Sequence, residues 1–101
     1  MSESNPTSEV SVVHEPDARR YAAYIDGALA GFTEYVLEEE PARIVFVHTE
    51  VGDAFGGKGV GSAIARGALD DVRATGERRV VPQCPFIRGW IEKHPAYADL
   101  V

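Results

Sequence analysis

A glycine-rich stretch constrains this 101-residue chain more than any other feature of its sequence. It runs from Asp53 to Ser62 as DAFGGKGVGS, between a strand-like apolar run at Ile44–Val51 and an amphipathic segment that begins near Gly59. Glycines let the backbone approach a ligand without a Cβ in the way. A helix that begins at such a turn presents free amides and positive partial charge at its start. The stretch therefore predicts a strand–turn–helix unit that binds a phosphate.

Three phosphate-binding patterns compete for this stretch. The P-loop pattern G-x-x-x-x-G-K-[ST] nearly fits from Gly52, but Gly59 stands where the metal-binding hydroxyl is needed. The dinucleotide pattern G-x-G-x-x-G starts at Gly57 and meets Ser62 at its third glycine, without the full βαβ unit. The acyl-CoA pyrophosphate pattern Q/R-x-x-G-x-G/A matches except at its first position, which is Gly56. A plain glycine-rich turn without a ligand is the fourth interpretation.

Composition excludes several classes of protein. A length of 101 residues with 45% hydrophobic content predicts one domain with one core. The net charge of −6 and the lack of a basic stripe argue against a nucleic-acid partner, and they are compatible with a cationic substrate such as an amine. The single cysteine, Cys84, excludes an internal disulfide and a cysteine-rich zinc site. The three histidines show no metal-like spacing, so we predict no metal.

The sequence predicts no membrane segment and no export signal. No apolar run approaches the roughly 20 residues of a membrane span, and the polar segment Met1–Glu9 does not have the pattern of a signal peptide. We therefore expect a soluble, cytoplasmic protein without a membrane partner. Residues 1–8 are predicted to be a disordered tail, and residues 9–101 a single domain.

The first half of the chain predicts four strands. Val10–His14 has the β-branched character of a short strand. Tyr21–Ile25 and Ala28–Val36 flank Asp26-Gly27, the favoured type I′ turn dipeptide, and predict a hairpin. Ala42–Val51 is the strongest strand and is apolar on both faces, which predicts a central position in the sheet. Regular alternation would place three of its side chains on one face (Ile44, Phe46, His48) and three on the other (Val45, Val47, Thr49).

The second half predicts helix, strand and helix. Apolar residues recur every four positions from Gly59 to Thr75, and Gly76 suits the position after the helix. Arg79–Val81 predicts a short strand that pairs in parallel with Ala42–Val51, and Pro85–His94 predicts a second helix. The order β-β-β-β-α-β-α predicts an α/β protein. Its mixed sheet has antiparallel N-terminal strands and one βαβ crossover at the glycine-rich loop.

Four motifs in this order resemble a known family. They are HTEV at His48–Val51, GKG at Gly57–Gly59, PQC at Pro82–Cys84, and KHPAYADL at Lys93–Leu100. Over residues 10–101 the chain resembles the GNAT superfamily of acyl-CoA-dependent N-acetyltransferases, and in particular its short single-domain members. The predicted hairpin replaces the helices that usually follow the first GNAT strand.

The resemblance implies a CoA site and an acetyl transfer. It implies that the CoA pyrophosphate lies on the loop and the helix start, at Gly57, Lys58, Gly59, Val60, Gly61 and Ser62. The pantetheine arm would pair with the backbone near Thr49 and Val51, where an amide polarises the thioester carbonyl. The implied function is acetyl-CoA-dependent N-acetylation of an amine, on a small molecule or a protein. The alternative is a CoA-binding sensor or interaction module with little transferase activity. A homodimer or a protein partner could complete the acceptor pocket of so small a domain.

Three residues are candidates for catalysis. Cys84 precedes the second helix, and a helix N-terminus favours the thiolate form of a thiol. It could accept the acyl group or protonate the departing CoA thiolate, or it is simply a small buried residue. Glu50 and His48, on one face of a regular strand end, could each be the general base; the alternatives are a buried core histidine and an exposed glutamate. Trp90 stands where the family often has the acidic tyrosine, and it cannot donate a phenolic proton. Tyr97 has a hydroxyl that could reach the site from the C-terminal segment, and packing is the favoured alternative.

Overall fold

Five strands form a single sheet in chain order. The structure, a computed structural model, describes residues 10–56 and 59–101. The strands are β1 (Ser11–Glu15), β2 (Arg20–Ile25), β3 (Ala28–Glu38), β4 (Arg43–Val51) and β5 (Arg79–Pro82). Neighbouring strands are antiparallel except β4 and β5, which are parallel. The predicted α/β fold class is confirmed. The predicted tail at residues 1–8 lies outside the described residues.

Two helices complete the fold. Helix α1 (Val60–Thr75) makes the crossover from β4 to β5, and α2 (Pro85–Lys93) follows β5. Short 3-10 turns lie at Pro16–Ala18, Asp53–Phe55 and Pro95–Leu100. The N–H of Gly76 donates to the carbonyl of Val72 and ends α1 at the predicted residue.

The β2–β3 hairpin has the predicted turn. Asp26 and Gly27 both have positive φ, 51° and 80°, as a type I′ turn requires. The backbone twist of a type I′ turn matches the twist of the flanking strands. The turn therefore fixes the register in which Ile25 pairs with Ala28.

The core lies on one face of the sheet, which we call the helix face. Tyr21, Tyr35 and Phe46 pack there against Leu69 of α1 and Ile87 of α2. A smaller cluster at the start of α1 contains Val60 and Ile64 together with Ala23, Ile25 and Ala30. The opposite face, the open face, carries exposed apolar side chains at Val13, Leu29 and Val36.

A β-bulge in β4 corrects the predicted strand faces. Tyr35 pairs with Phe46 and Glu34 pairs with His48, so Val47 is an extra residue without a partner on β3. Beyond the bulge the alternation is reversed, and Thr49 lies on the helix face together with Phe46. His48 lies on the open face. The predictions that His48 shares the face of Phe46 and that it could be a core histidine are therefore wrong.

Candidate active site

A gap opens between β4 and β5 at the end of the sheet where α1 begins. The two strands pair only from Arg43 with Arg79 to Phe46 with Pro82. One further link follows, from the N–H of Cys84 to the carbonyl of Phe46 at 2.7 Å. Beyond it β4 continues to Val51, and no strand of the described chain pairs with it on this side. This edge can pair with an extended ligand, as exposed sheet edges do.

Cys84 lies at the closed end of this gap and is held by a chain of hydroxyls. Cys84 is 4% exposed, and its thiol donates to Oγ1 of Thr49 at 3.2 Å. The Thr49 hydroxyl lies 2.9 Å from Oγ1 of Thr33, which donates to the carbonyl of His48 at 3.3 Å. Because the last acceptor is a carbonyl, all three protons point the same way, from sulfur towards His48. The chain orients the thiol and includes no group that could take its proton away.

The start of α1 has the geometry of an anion site. Gly59, the residue before the helix, is left-handed with φ of 75°, which glycine adopts without a steric cost. No side chain caps this end, and no acidic residue lies in the first turn. The first amides of a helix have no acceptor within it, so they are available to a phosphate or carboxylate. Gly57 and Lys58, also predicted to bind the cofactor, lie outside the described residues.

The side chains at this end of α1 serve packing. Val60 is buried in the smaller cluster, and the hydroxyl of Ser62 accepts a hydrogen bond from Nε1 of Trp90 at 3.0 Å. A Cβ on Gly61 would lie 2.8 Å from Cζ of Phe86, so a larger residue there would require the exposed ring of Phe86 on α2 to move. Backbone amides are therefore the groups that these residues can offer to a cofactor.

His48 and Glu50 form a pair on the open face. Nε2 of His48 lies 3.0 Å from Oε1 of Glu50, and the two side chains are 54% and 63% exposed. Phe32 lies beside them, with its ring centroid 6.1 Å from that of His48. Glu50 and Phe32, with Leu29, also line a depression of about 170 Å³. The prediction that His48 and Glu50 share one face is confirmed, and that face is opposite to Cys84.

The C-terminal motif fastens the end of the chain to α1. The hydroxyl of Tyr97 donates to Oδ1 of Asp70 at 2.7 Å, and this bond raises the pKa of the tyrosine. Arg73 donates to both carboxylate oxygens of Asp99 at 2.9 and 3.0 Å. The ring of His94 stacks on that of Trp90 at 3.8 Å between centroids. The Tyr97 hydroxyl is thus occupied, in agreement with its expected packing role.

Two features of the site were not predicted from the sequence. Thr33 is fully buried and joins the hydroxyl chain. The sequence around it indicates this only weakly, through a polar residue that stands between the inward-facing positions Gly31 and Tyr35. A depression of about 240 Å³ on α2 is lined by Phe86, Trp90 and Lys93, next to the start of α1. Its aromatic residues offer an apolar surface beside the anion site.

Other candidate groups have structural roles or are absent from the described chain. Arg88 donates to the carbonyls of Pro82 and Gln83 at 3.3 and 3.1 Å, and so closes the end of β5. Residues 10–56 and 59–101 contain no group of three or more side chains placed to hold a metal ion. In the same part of the chain, neither helix is long and apolar enough to cross a membrane.

Comparison with known proteins agrees with this geometry. Residues 20–100 match a family model described as GCN5-related N-acetyl-transferase. Protein NATD1 of Xenopus tropicalis is 27% identical over 94 residues, which cover 90% of this chain and 83% of that protein. The crystal structure of the ribosomal-protein-alanine N-acetyltransferase of Brucella melitensis biovar Abortus 2308 superposes with a TM-score of 0.58 at 24% identity. The match covers 73% of this chain and 59% of that enzyme, and it shows a shared fold.

Proposed function

Because the chain belongs to the GCN5-related N-acetyltransferase family, we propose that it binds acetyl-CoA between β4 and β5 and acetylates an amine. One observation carries this proposal: the free edge of β4 meets the uncapped start of α1 at the same end of the sheet. A strand edge and a helix N-terminus are the two kinds of backbone group that bind an amide-containing arm and a phosphate.

The cofactor would lie along this end of the sheet. The amides of Val60, Gly61 and Ser62 would hold the pyrophosphate, because they have no acceptor within the helix. Lys58 and Lys93 would add positive charge, and the depression at Phe86 would receive an apolar part of the nucleotide. The backbone of β4 from Thr49 to Val51 would pair with the pantetheine arm. When bound, acetyl-CoA supplies the thioester that reacts with the amine.

Cys84 is the residue we propose as the general acid. The indole N–H of Trp90 is committed to Ser62, and the Tyr97 hydroxyl is committed to a carboxylate on α1. The thiol of Cys84 also donates a hydrogen bond, to Thr49, but a thiol is ordinarily more acidic than a phenol or an indole. Cys84 also lies at the gap, so it is the best placed donor among these candidates. It gives its proton to the sulfur that leaves when the C–S bond breaks, and solvent reprotonates it. Its hydroxyl chain ends at a carbonyl and cannot accept a proton, which disfavours activation of the thiol as a nucleophile.

The pair on the open face supplies the base. Glu50, with His48 3.0 Å away, takes the proton from the amine as its nitrogen forms the bond to the acetyl carbon. The base and the acid then lie on opposite sides of β4, so the amine enters from the open face and the thiolate leaves towards the helix face. The exposed carboxylate of Glu50 on this face suits an acceptor that arrives as a cation.

Steady-state acetyl transfer with purified protein tests these roles. Release of free CoA is followed with a thiol reagent against a panel of amines, after correction for the protein's own cysteine. Cys84→Ala and Glu50→Gln are each expected to lower kcat by about 10²–10⁴-fold, while an exposed control, Glu92→Gln, leaves it unchanged. Unchanged turnover in both variants would exclude the assigned roles. An acetyl adduct on Cys84, found by intact mass and removed by hydroxylamine, would instead establish a two-step mechanism.

A CoA-binding module with little transferase activity is the second candidate. The observation that favours it is the shallow acceptor side, where the depression at Glu50 has a volume of only about 170 Å³. Saturable acetyl-CoA binding without turnover of any amine in the panel would support this function. Turnover that is lost in Glu50→Gln would exclude it.

A further inference from the structure

A second cavity lies at the opposite end of α1 from the proposed active site. It has a volume of about 360 Å³ and lies between the last turns of α1 and the strands below them. Leu37, Ile44 and Val72 form its apolar wall. This volume is within the range of small-molecule sites, which are roughly 300–1,000 Å³ and mostly apolar with a few placed polar groups.

Four hydrogen-bonding side chains from four elements converge on this cavity. Nε2 of His14 lies 2.6 Å from the hydroxyl of Tyr35, and the hydroxyl of Tyr21 donates to Oδ2 of Asp71 at 2.7 Å. The imidazole of His14 stacks on the ring of Tyr21 at 4.2 Å between centroids and closes the cluster. Burial raises the pKa of both tyrosines, so they are neutral phenols. The cluster fixes the shape of the cavity before any ligand binds.

Arg19 brings an uncommitted positive charge to the same cavity. In the described part of the chain its guanidinium makes no hydrogen bond or ion pair, whereas the neighbouring Arg78 is paired with Glu39 at 2.6 Å. Its backbone is left-handed with φ of 55°, a conformation that glycine adopts more easily than arginine does. This conformation ends the 3-10 turn at Pro16–Ala18, where the N–H of Arg19 donates to the carbonyl of Pro16 at 3.0 Å. The turn thus places the side chain of Arg19 at the cavity.

We propose that this cavity binds a small carboxylate with an aromatic or branched apolar body. Its carboxylate contacts Arg19, and its apolar body lies against Leu37, Ile44 and Val72. The cavity also carries the carboxylates of Asp71 and Glu77, so the ligand must place its negative charge at the Arg19 end. This site is separate from the acetyl-CoA site and does not depend on the proposed acetyltransferase activity.

Titration of the ¹⁵N-labelled full chain with 3-phenylpropionate, followed by two-dimensional NMR, tests the proposal. We expect saturable shifts of the amides that surround the cavity, with a dissociation constant below about 10 mM. The uncharged 3-phenylpropanamide is the matched probe for the carboxylate, and it is expected to bind about tenfold more weakly. Absence of saturable shifts, or shifts confined to the β4–β5 gap, would overturn the proposal.

Substitution at Arg19 separates ligand recognition from folding. Arg19→Gly suits the left-handed backbone and is expected to fold at least as stably as the natural protein. It should nevertheless bind 3-phenylpropionate about tenfold more weakly and bind the amide unchanged. Arg66→Gln removes a positive charge from an exposed position outside the cavity and is expected to leave both affinities unchanged. Equal affinity of Arg19→Gly and the natural protein for 3-phenylpropionate would refute the contact.

Discussion

Replacement of Thr33 by valine tests the hydroxyl chain that orients Cys84. Thr33 is fully buried, and its hydroxyl makes two contacts, 2.9 Å to Thr49 and 3.3 Å to the carbonyl of His48. Valine has nearly the same shape, so the main change is the loss of these two hydrogen bonds. A hydrogen bond contributes about 0.5–1.5 kcal/mol net, and a buried group left without a partner costs about 1–3 kcal/mol. We therefore expect Thr33→Val to lower the free energy of unfolding by about 2 kcal/mol.

The assay is urea unfolding followed by circular dichroism, repeated for Thr49→Val and for the double variant. The two single variants lose two hydrogen bonds each and the double variant loses three, because the bond between Thr33 and Thr49 is shared. The double variant should therefore lose less stability than the sum of the two single changes. The expected difference is about 1 kcal/mol. Thr75→Val removes a single hydrogen bond, to the carbonyl of Val72 at the exposed end of α1, and should cost no more than about 1 kcal/mol. Additive effects, or a Thr33→Val protein as stable as the natural one, would refute the proposed chain.

Three further predictions concern the packing around the site. Asp99→Asn should lower the melting temperature at pH 7, because Arg73 lowers the pKa of Asp99 in the folded protein. The difference in melting temperature between the two proteins should be complete above the pKa of Asp99 in the unfolded chain. It should disappear as the pH falls through the pKa of Asp99 in the folded protein. Tyr97→Phe should cost about 1 kcal/mol in urea unfolding, since it removes a hydrogen bond to a carboxylate; an unchanged midpoint would contradict this. Gly61→Ala should change the free energy of unfolding by less than about 1 kcal/mol, because the exposed ring of Phe86 can move away from the new Cβ and alanine favours the helix over glycine; a loss above about 2 kcal/mol would show that the ring of Phe86 is fixed.

The order of elements could be predicted because local chemistry marks each boundary. Asp26-Gly27 specifies a two-residue hairpin turn, Gly76 ends α1, and the run from Ile44 to Val47 indicates a buried strand. These signals act over a few residues, so they do not depend on knowledge of the tertiary structure. The glycine-rich loop likewise indicated the start of α1.

The bulge in β4 could not be predicted from the sequence pattern. The run from Ile44 to Val47 is apolar at every position, so the pattern does not tell which residue lacks a partner on β3. That choice depends on the register with β3, which is set by contacts between distant residues. One extra residue moved His48 to the open face and Thr49 to the helix face. The assignment of an acid and a base to opposite sides of β4 follows from this register.

The environment of Cys84 could not be predicted from neighbouring residues either. Its thiol contacts Thr49, 35 residues away in sequence, and the next contact of that hydroxyl is 16 residues away. The motif at Lys93–Leu100 could be recognised but not interpreted, because its bonds are made to residues on α1. Its role in the structure is to fasten the C-terminal segment.

Isothermal titration of acetyl-CoA into the natural protein and Gly61→Val tests the central claim most directly. The claim predicts saturable binding with one molecule per chain, and ATP with Mg²⁺ serves as the control ligand that gives no heat. Valine at position 61 cannot keep the close packing of the first turn of α1 against Phe86. Its affinity for acetyl-CoA should therefore fall by about tenfold or more, which corresponds to about 1.4 kcal/mol. No heat with acetyl-CoA, or equal affinity in a folded Gly61→Val, would contradict the proposed site.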